Sequence, residues 1–127
     1  MKCSRFNFSN STPKKCTGIP RGFDWRVSIT RKDKEKAPLN LTGYTNKVII
    51  KDMSGATIFT LIDVLDFSEN GIYTPDVATG QMYIIIKKES TGTMADSQYK
   101  YEWESVEPDG FSRLFMFGEI NVYQGAF

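Results

Sequence analysis

The sequence predicts an all-β fold, a single Ig-like or jelly-roll-type β-sandwich of six to eight strands with an extended N-terminal arm, and three observations carry that prediction. No stretch of ten residues sustains the i, i+3, i+4 apolar spacing of an amphipathic helix. Several short segments instead alternate apolar and polar residues with period two, or are apolar on both faces, as strands are. Turn signals built from Gly, Pro, Asn and Asp punctuate them. A length of 127 residues suffices for one hydrophobic core. A closed barrel such as an OB-fold remains the competing layout, because periodicity does not distinguish one closed sheet from two packed sheets.

The expected division is an arm over 1–21, a sandwich over 22–123 and a tail over 124–127. The arm is rich in Ser, Asn, Thr, Lys and Pro, has one short alternation at Phe6-Asn7-Phe8, and ends in Gly18-Ile19-Pro20-Arg21-Gly22. From Phe23 the pattern changes. Phe23, Trp25, Val27 and Ile29 alternate with Asp24, Arg26, Ser28 and Thr30, which places the four apolar side chains on one face of a strand. A charged run from Arg31 to Lys36 reads as a solvated turn, and Pro38-Leu39-Asn40-Leu41-Thr42-Gly43-Tyr44 as a corner.

Thr45 to Asp52 is β-branched at its centre, and Ser54-Gly55 turns it into Ala56 to Leu61, a hairpin. Ile62 to Phe67 fits either a helical turn or a continued strand. Glu69-Asn70-Gly71 turns into Ile72-Tyr73-Thr74, and Gln81 to Lys87 is apolar on both faces, as a core strand is. Tyr99, Tyr101 and Trp103 alternate with Lys100, Glu102 and Glu104. Pro108-Asp109-Gly110 turns that strand into a long return from Phe111 to Tyr123, with a bulge or kink expected at Gly118.

Chemistry is bounded first by a zero: the chain has no histidine. That removes the commonest general base, the Ser-His and Cys-His nucleophile pairs and most catalytic zinc sites. Asp63, Asp66 and Glu69 sit three apart but lack the alternating oxygen ligands of a calcium loop, so no metal is expected. Glu102 and Glu104 share a strand face, which a solvated surface explains better than a glycosidase pair. Isolated glycines at Gly80 and Gly92 form no phosphate-cradling loop, so no nucleotide or other cofactor is expected either. The expectation is a protein that is not an enzyme.

Charge is unevenly placed. Residues 1–36 hold ten basic and three acidic side chains, a net of +7, while the remaining 91 hold six basic and twelve acidic, a net of −6. A basic arm of this kind seeks an acidic surface. Nucleic acid is disfavoured as that surface, because the aromatics needed for base stacking lie at core parity in their strands while the cations cluster elsewhere. The longest apolar run, Ile58 to Leu65, is broken by Thr60 and Asp63 and is too short for a membrane span. The opening Met-Lys-Cys-Ser-Arg is polar, unlike a secretory signal, which makes a cytosol the expected site of synthesis. Cys3 and Cys16 leave two readings open: free thiols, or a disulfide closing an N-terminal loop.

Taken as a whole, residues 22 to 123 resemble a small β-sandwich structural module of tailed bacteriophages, found in the N-terminal region of baseplate upper proteins and in short virion proteins. The resemblance rests on Phe23-Asp24-Trp25-Arg26-Val27, the Pro38-Leu39-Asn40-Leu41-Thr42-Gly43-Tyr44 corner, and Val48 to Lys51. Tyr99 to Glu104, the Asp109-Gly110 turn, and Arg113-Leu114 through Gly118-Glu119-Ile120-Asn121-Val122 complete it. It implies a non-enzymatic virion part whose partners are other virion structural proteins, with a homo-oligomer among the options. Physics supplies a docking mode: an arm presenting Phe6 and Phe8 adds as a strand to a neighbour's sheet edge, while Arg5, Lys14, Lys15 and Arg21 give electrostatic register. Phe127, at the end of the tail, is a candidate plug for a partner's pocket. The rival expectation is a monomeric carbohydrate- or surface-binding sandwich exposing aromatics near Ile72 to Pro75 or Met94 to Gln98.

Overall fold

A computed structural model describes residues 17–95 and 97–124. Eight strands follow in chain order: β1 (Thr17–Arg21), β2 (Trp25–Thr30), β3 (Thr45–Asp52), β4 (Thr57–Val64), β5 (Gly71–Asp76), β6 (Gln81–Ile86), β7 (Gln98–Val106) and β8 (Ser112–Gln124). One four-residue helix, α1 (Lys88–Thr91), lies between β6 and β7. The order across the sheet is β1-β8-β7-β3-β4-β5-β6-β2. It folds into two layers, β1-β8-β7-β3-β4 and β5-β6-β2, joined where Asp63 and Val64 at the end of β4 pair in parallel with Ile72 and Tyr73. That strand order and the parallel pairing of the first strand with the last make an Ig-like sandwich, all-β as the sequence predicts.

The two hairpins form where the turns place them. Asp52 closes the first: its carboxylate accepts from the backbone N–H groups of Ser54 and Ala56 at 2.9 and 3.0 Å, and Gly55 takes φ +95°. Gly110 closes the second with its N–H on the Glu107 carbonyl at 2.8 Å. Between β2 and β3 the chain crosses from one layer to the other, and Leu41 N–H bonds the Val77 carbonyl at 2.8 Å to hold the crossing down. Gly43 in the corner packs so tightly on Pro108 that an added Cβ would lie 3.1 Å from its ring.

Inward-facing residues of both layers make one core, including Trp25, Val48, Ile50, Ile72, Ile84, Ile86, Tyr101, Trp103, Ile120 and Val122. Trp103 is fully buried at its centre, edge-on to Phe115 at 5.0 Å between centroids. Its indole N–H donates to Asn46 Oδ1 at 3.1 Å, which satisfies the one polar atom the ring carries.

Four expectations are corrected. Thr17–Arg21, assigned to the arm, is β1, paired in parallel with Ile120–Gln124 and carrying the fully buried Ile19 into the core, so the sandwich begins before residue 22. Gln124, assigned to the tail, is the last residue of β8. Phe23 is 52% exposed, because Gly22 turns with φ +87° and the strand starts only at Trp25. The bulge in β8 lies not at Gly118, which pairs regularly with Tyr101, but at Phe115, the extra residue between the Trp103–Met116 and Glu104–Leu114 pairs. It turns both Phe115 and Met116 toward the core.

Candidate interaction site

Between the inner faces of the two layers lies a cavity of about 490 Å³. Trp25, Val27 and Ile29 of β2 line one side, Val48 and Ile50 of β3 the floor, and Phe115, Met116 and Ile120 of β8 the other side. Cores pack to crystal-like density with few voids larger than a water molecule, so a space of this size stands out from ordinary packing and is a candidate groove. The lining is mostly apolar; Ser28 and Thr30 bring hydroxyls from β2, and Tyr101 brings a phenol from β7. Among the described residues β2 pairs only with β6, so its other edge carries backbone N–H and C=O groups that no described strand takes up. An apolar groove beside an open strand edge can accept one further strand, with main-chain hydrogen bonds along the edge and alternate side chains in the groove.

Polar contacts flank β2 and tie down the β3–β4 hairpin. Arg31, directly after β2, is 9% exposed, donates from Nη1 to the buried Ser105 hydroxyl at 2.8 Å, and lies over the Phe115 ring at 4.0 Å. Burial pulls its pKa below the usual guanidinium value, against a smaller opposing effect of Tyr44 and Glu107. At the β3–β4 side Asp63 accepts from the Asn46 backbone N–H at 2.9 Å, and loss of hydration pushes its carboxyl above the ordinary Asp value, partly offset by the Asn46 bonds. At the start of β2 Asp24 accepts from Lys88 N–H at 2.7 Å, a bond that holds its pKa low, and pairs with Lys87 at 3.7 Å.

The outer faces are occupied differently. On the five-stranded layer Lys47–Glu104 and Lys51–Glu102 ion pairs, each at 3.5 Å, cross between β3 and β7. Glu102 and Glu104 thus pair with separate lysines, and both line one open depression with Lys47, Ser112 and Arg113. On the other layer Phe67 packs edge-on against Tyr73 at 4.7 Å and Tyr83 at 5.1 Å, roofed by the Arg26 guanidinium 3.9 Å from its centroid.

Of the residues expected to act in docking, Arg5, Phe6, Phe8, Lys14, Lys15 and Phe127 lie outside the described residues, as do Cys3 and Cys16. Arg21 is the half-buried last residue of β1. From the sequence Val27, Ile29 and Ile84 read as core and Phe115 as part of the return strand; the signal that marks them as a group is the lack of a described neighbour for β2, which no single residue encodes. No group of three or more His, Cys, Asp or Glu among the described residues is placed to hold a metal ion. No described helix is long and apolar enough to cross a membrane.

No family model matches the chain, and no curated protein matches it. Among solved structures it is similar to the solution structure of the first Ig-like domain from human CD48 antigen, at 13% identity and a TM-score of 0.43, covering 95% of this chain and 91% of that one.

Proposed function

We propose that this protein is a non-enzymatic structural subunit, an accessory or adaptor part of a tailed-bacteriophage virion, which docks on neighbouring virion proteins through its sheet surface and its N-terminal arm. The observation that carries the reading is the apolar groove alongside the outer edge of β2. Such a site binds a polypeptide strand, not a small polar substrate: its lining offers hydrophobic contact and its rim offers main-chain hydrogen bonds. The resemblance of residues 22 to 123 to phage sandwich modules supplies the setting, with synthesis in the host cytoplasm and residence in the particle. Contacts of modest individual strength, repeated around a symmetric particle, hold by avidity.

Mass spectrometry of phage particles purified from a host that carries this gene tests the proposal. The expected result is the chain in intact, gradient-purified particles at a fixed ratio to a major structural protein. Its presence in the lysate but absence from particles would overturn the virion assignment.

A further inference from the structure

We propose that a pocket at the seam of the two layers, with Asp63 in its wall, receives the ammonium group of a lysine side chain carried by another polypeptide. The inference rests on the docking reading only in taking the ligand to be part of a protein. The pocket measures about 190 Å³ and is built where β3, β4 and β5 meet: Asn46 comes from β3, Asp63 and Val64 from the end of β4, Ile72 and Thr74 from β5. Leu41 of the corner and Val77 of the turn after β5 add two more apolar walls, tied to each other by the Leu41 N–H bond to the Val77 carbonyl at 2.8 Å.

The Asp63 carboxylate is fixed by a relay that starts in the core. The Trp103 indole N–H donates to Asn46 Oδ1 at 3.1 Å, which turns the Asn46 amide so that its Nδ2 faces Asp63 Oδ1 at 3.4 Å, while the Asn46 backbone N–H bonds Oδ2 at 2.9 Å. A buried ring orients an amide and the amide orients a carboxylate, which is the rigid support a binding group needs. Among the described residues no lysine or arginine pairs with that carboxylate. Folding does not account for the charge: an Asn at this position would accept the same backbone bond, and lost hydration makes the ionised form costly. A charge that weakens its own fold, lines a pocket and has no counter-ion among the described residues is explained by a ligand.

The lining selects the chemistry of that ligand. Among the described residues no second carboxylate and no His or Cys joins Asp63 in a metal-binding group, and one carboxylate is too few for a metal ion. Both of its oxygens already accept from Asn46, so the compact point charge of an ammonium is better served than the flat two-point fork of a guanidinium. Leu41, Val64, Ile72 and Val77 offer apolar contact to an alkyl stem, and Thr74 brings a hydroxyl, an acceptor for a second ammonium proton. A lysine side chain combines those parts: a four-carbon stem ended by three donors.

Titration of the full chain with Nα-acetyl-lysine N-methylamide, followed through the Trp103 indole and Asn46 amide signals by heteronuclear NMR, tests this. Saturable shifts with a dissociation constant in the millimolar range are expected. Asp63→Asn, which keeps an oxygen acceptor, should weaken binding about tenfold or more, as loss of a charge-assisted bond does. Val77→Trp, which fills the pocket and leaves the carboxylate, should abolish it. Asp66→Asn, which removes an exposed charge of the following loop, should leave it unchanged. The blocked norleucine analogue, which lacks the ammonium, should not bind. Shifts that are absent or do not saturate, equal binding by Asp63→Asn, by Val77→Trp or of norleucine, or loss of binding in Asp66→Asn would each overturn the inference. Binding of n-butylamine but not of the blocked lysine would overturn the polypeptide source. The particle assay reads the virion assignment separately, so a failure here leaves that assignment standing.

Discussion

The guanidinium of Arg31 donates to the hydroxyl of Ser105 at 2.8 Å, across 74 positions of sequence and out of contact with bulk water. It ties the residue after β2 in one layer to β7 in the other, with the guanidinium over Phe115 of the groove lining. Ser105→Ala leaves a buried charged donor without that acceptor, and the expected loss is about 1–3 kcal/mol. Urea unfolding measures it. The double variant Arg31→Met/Ser105→Ala should lose less than the sum of its singles, because removing both partners leaves nothing unsatisfied.

Asn46 serves two neighbours at once, accepting from the Trp103 indole and donating to Asp63. Asn46→Ala removes the partner of a fully buried indole N–H and should cost about 1–3 kcal/mol in the same assay. A Leu at this position fills space but orphans the same atom, so it should not rescue.

Asp63 gives the clearest pH signature. Its folded pKa is raised above the ordinary 3.8, chiefly by lost hydration, so the native state binds its proton more tightly than the unfolded chain does. Its contribution to stability is therefore complete below that ordinary value and is lost as pH rises through the raised one. Asp63→Asn keeps an oxygen acceptor for the Asn46 N–H and removes the charge. It should be more stable than wild type at pH 7, with the gain shrinking toward pH 3 in thermal melts.

Asp52 should behave in the opposite sense. Hydrogen bonds from the Ser54 hydroxyl and the Ala56 N–H, the two largest causes, hold its pKa below 3.8, so the stability it provides is present above that value and lost as pH falls through the lowered one. Asp52→Ala should lower Tm at pH 7 and converge on wild type in acid.

Gly80 and Gly55 both take positive φ, +72° and +95°, yet their substitutions should differ. A Cβ on Gly80 would lie 2.3 Å from the Arg31 carbonyl, while one on Gly55 meets nothing within 4 Å. Gly55→Ala should cost about 1–2 kcal/mol, the penalty of the left-handed conformation alone. Gly80→Ala adds displacement of the backbone that carries Arg31, and should exceed it by at least ~2 kcal/mol.

Much of the sandwich was legible because strand period and turn chemistry are local. The Tyr99, Tyr101, Trp103 alternation faces the core as its parity requires, and both hairpins close at Asp52–Ala56 and Glu107–Phe111. What was not legible depends on distant partners. Thr17–Arg21 reads as a turn-rich arm, since Gly18 and Pro20 mask it; only parallel pairing with β8, about a hundred residues on, makes Ile19 a core residue. The bulge falls at Phe115 and not at Gly118 because there it brings Phe115 onto both Trp103 and Arg31. The groove is the extreme case: every apolar side chain lining it looks like ordinary core, and the candidate site is the space between them.

Hydrogen exchange along β2, measured on the free chain and on gradient-purified particles, is the most direct test of that site. A groove that receives a strand of a neighbouring virion protein predicts stronger protection of the Trp25–Thr30 amides in the particle than in the free chain. Equal protection of β2 in the two states would contradict it.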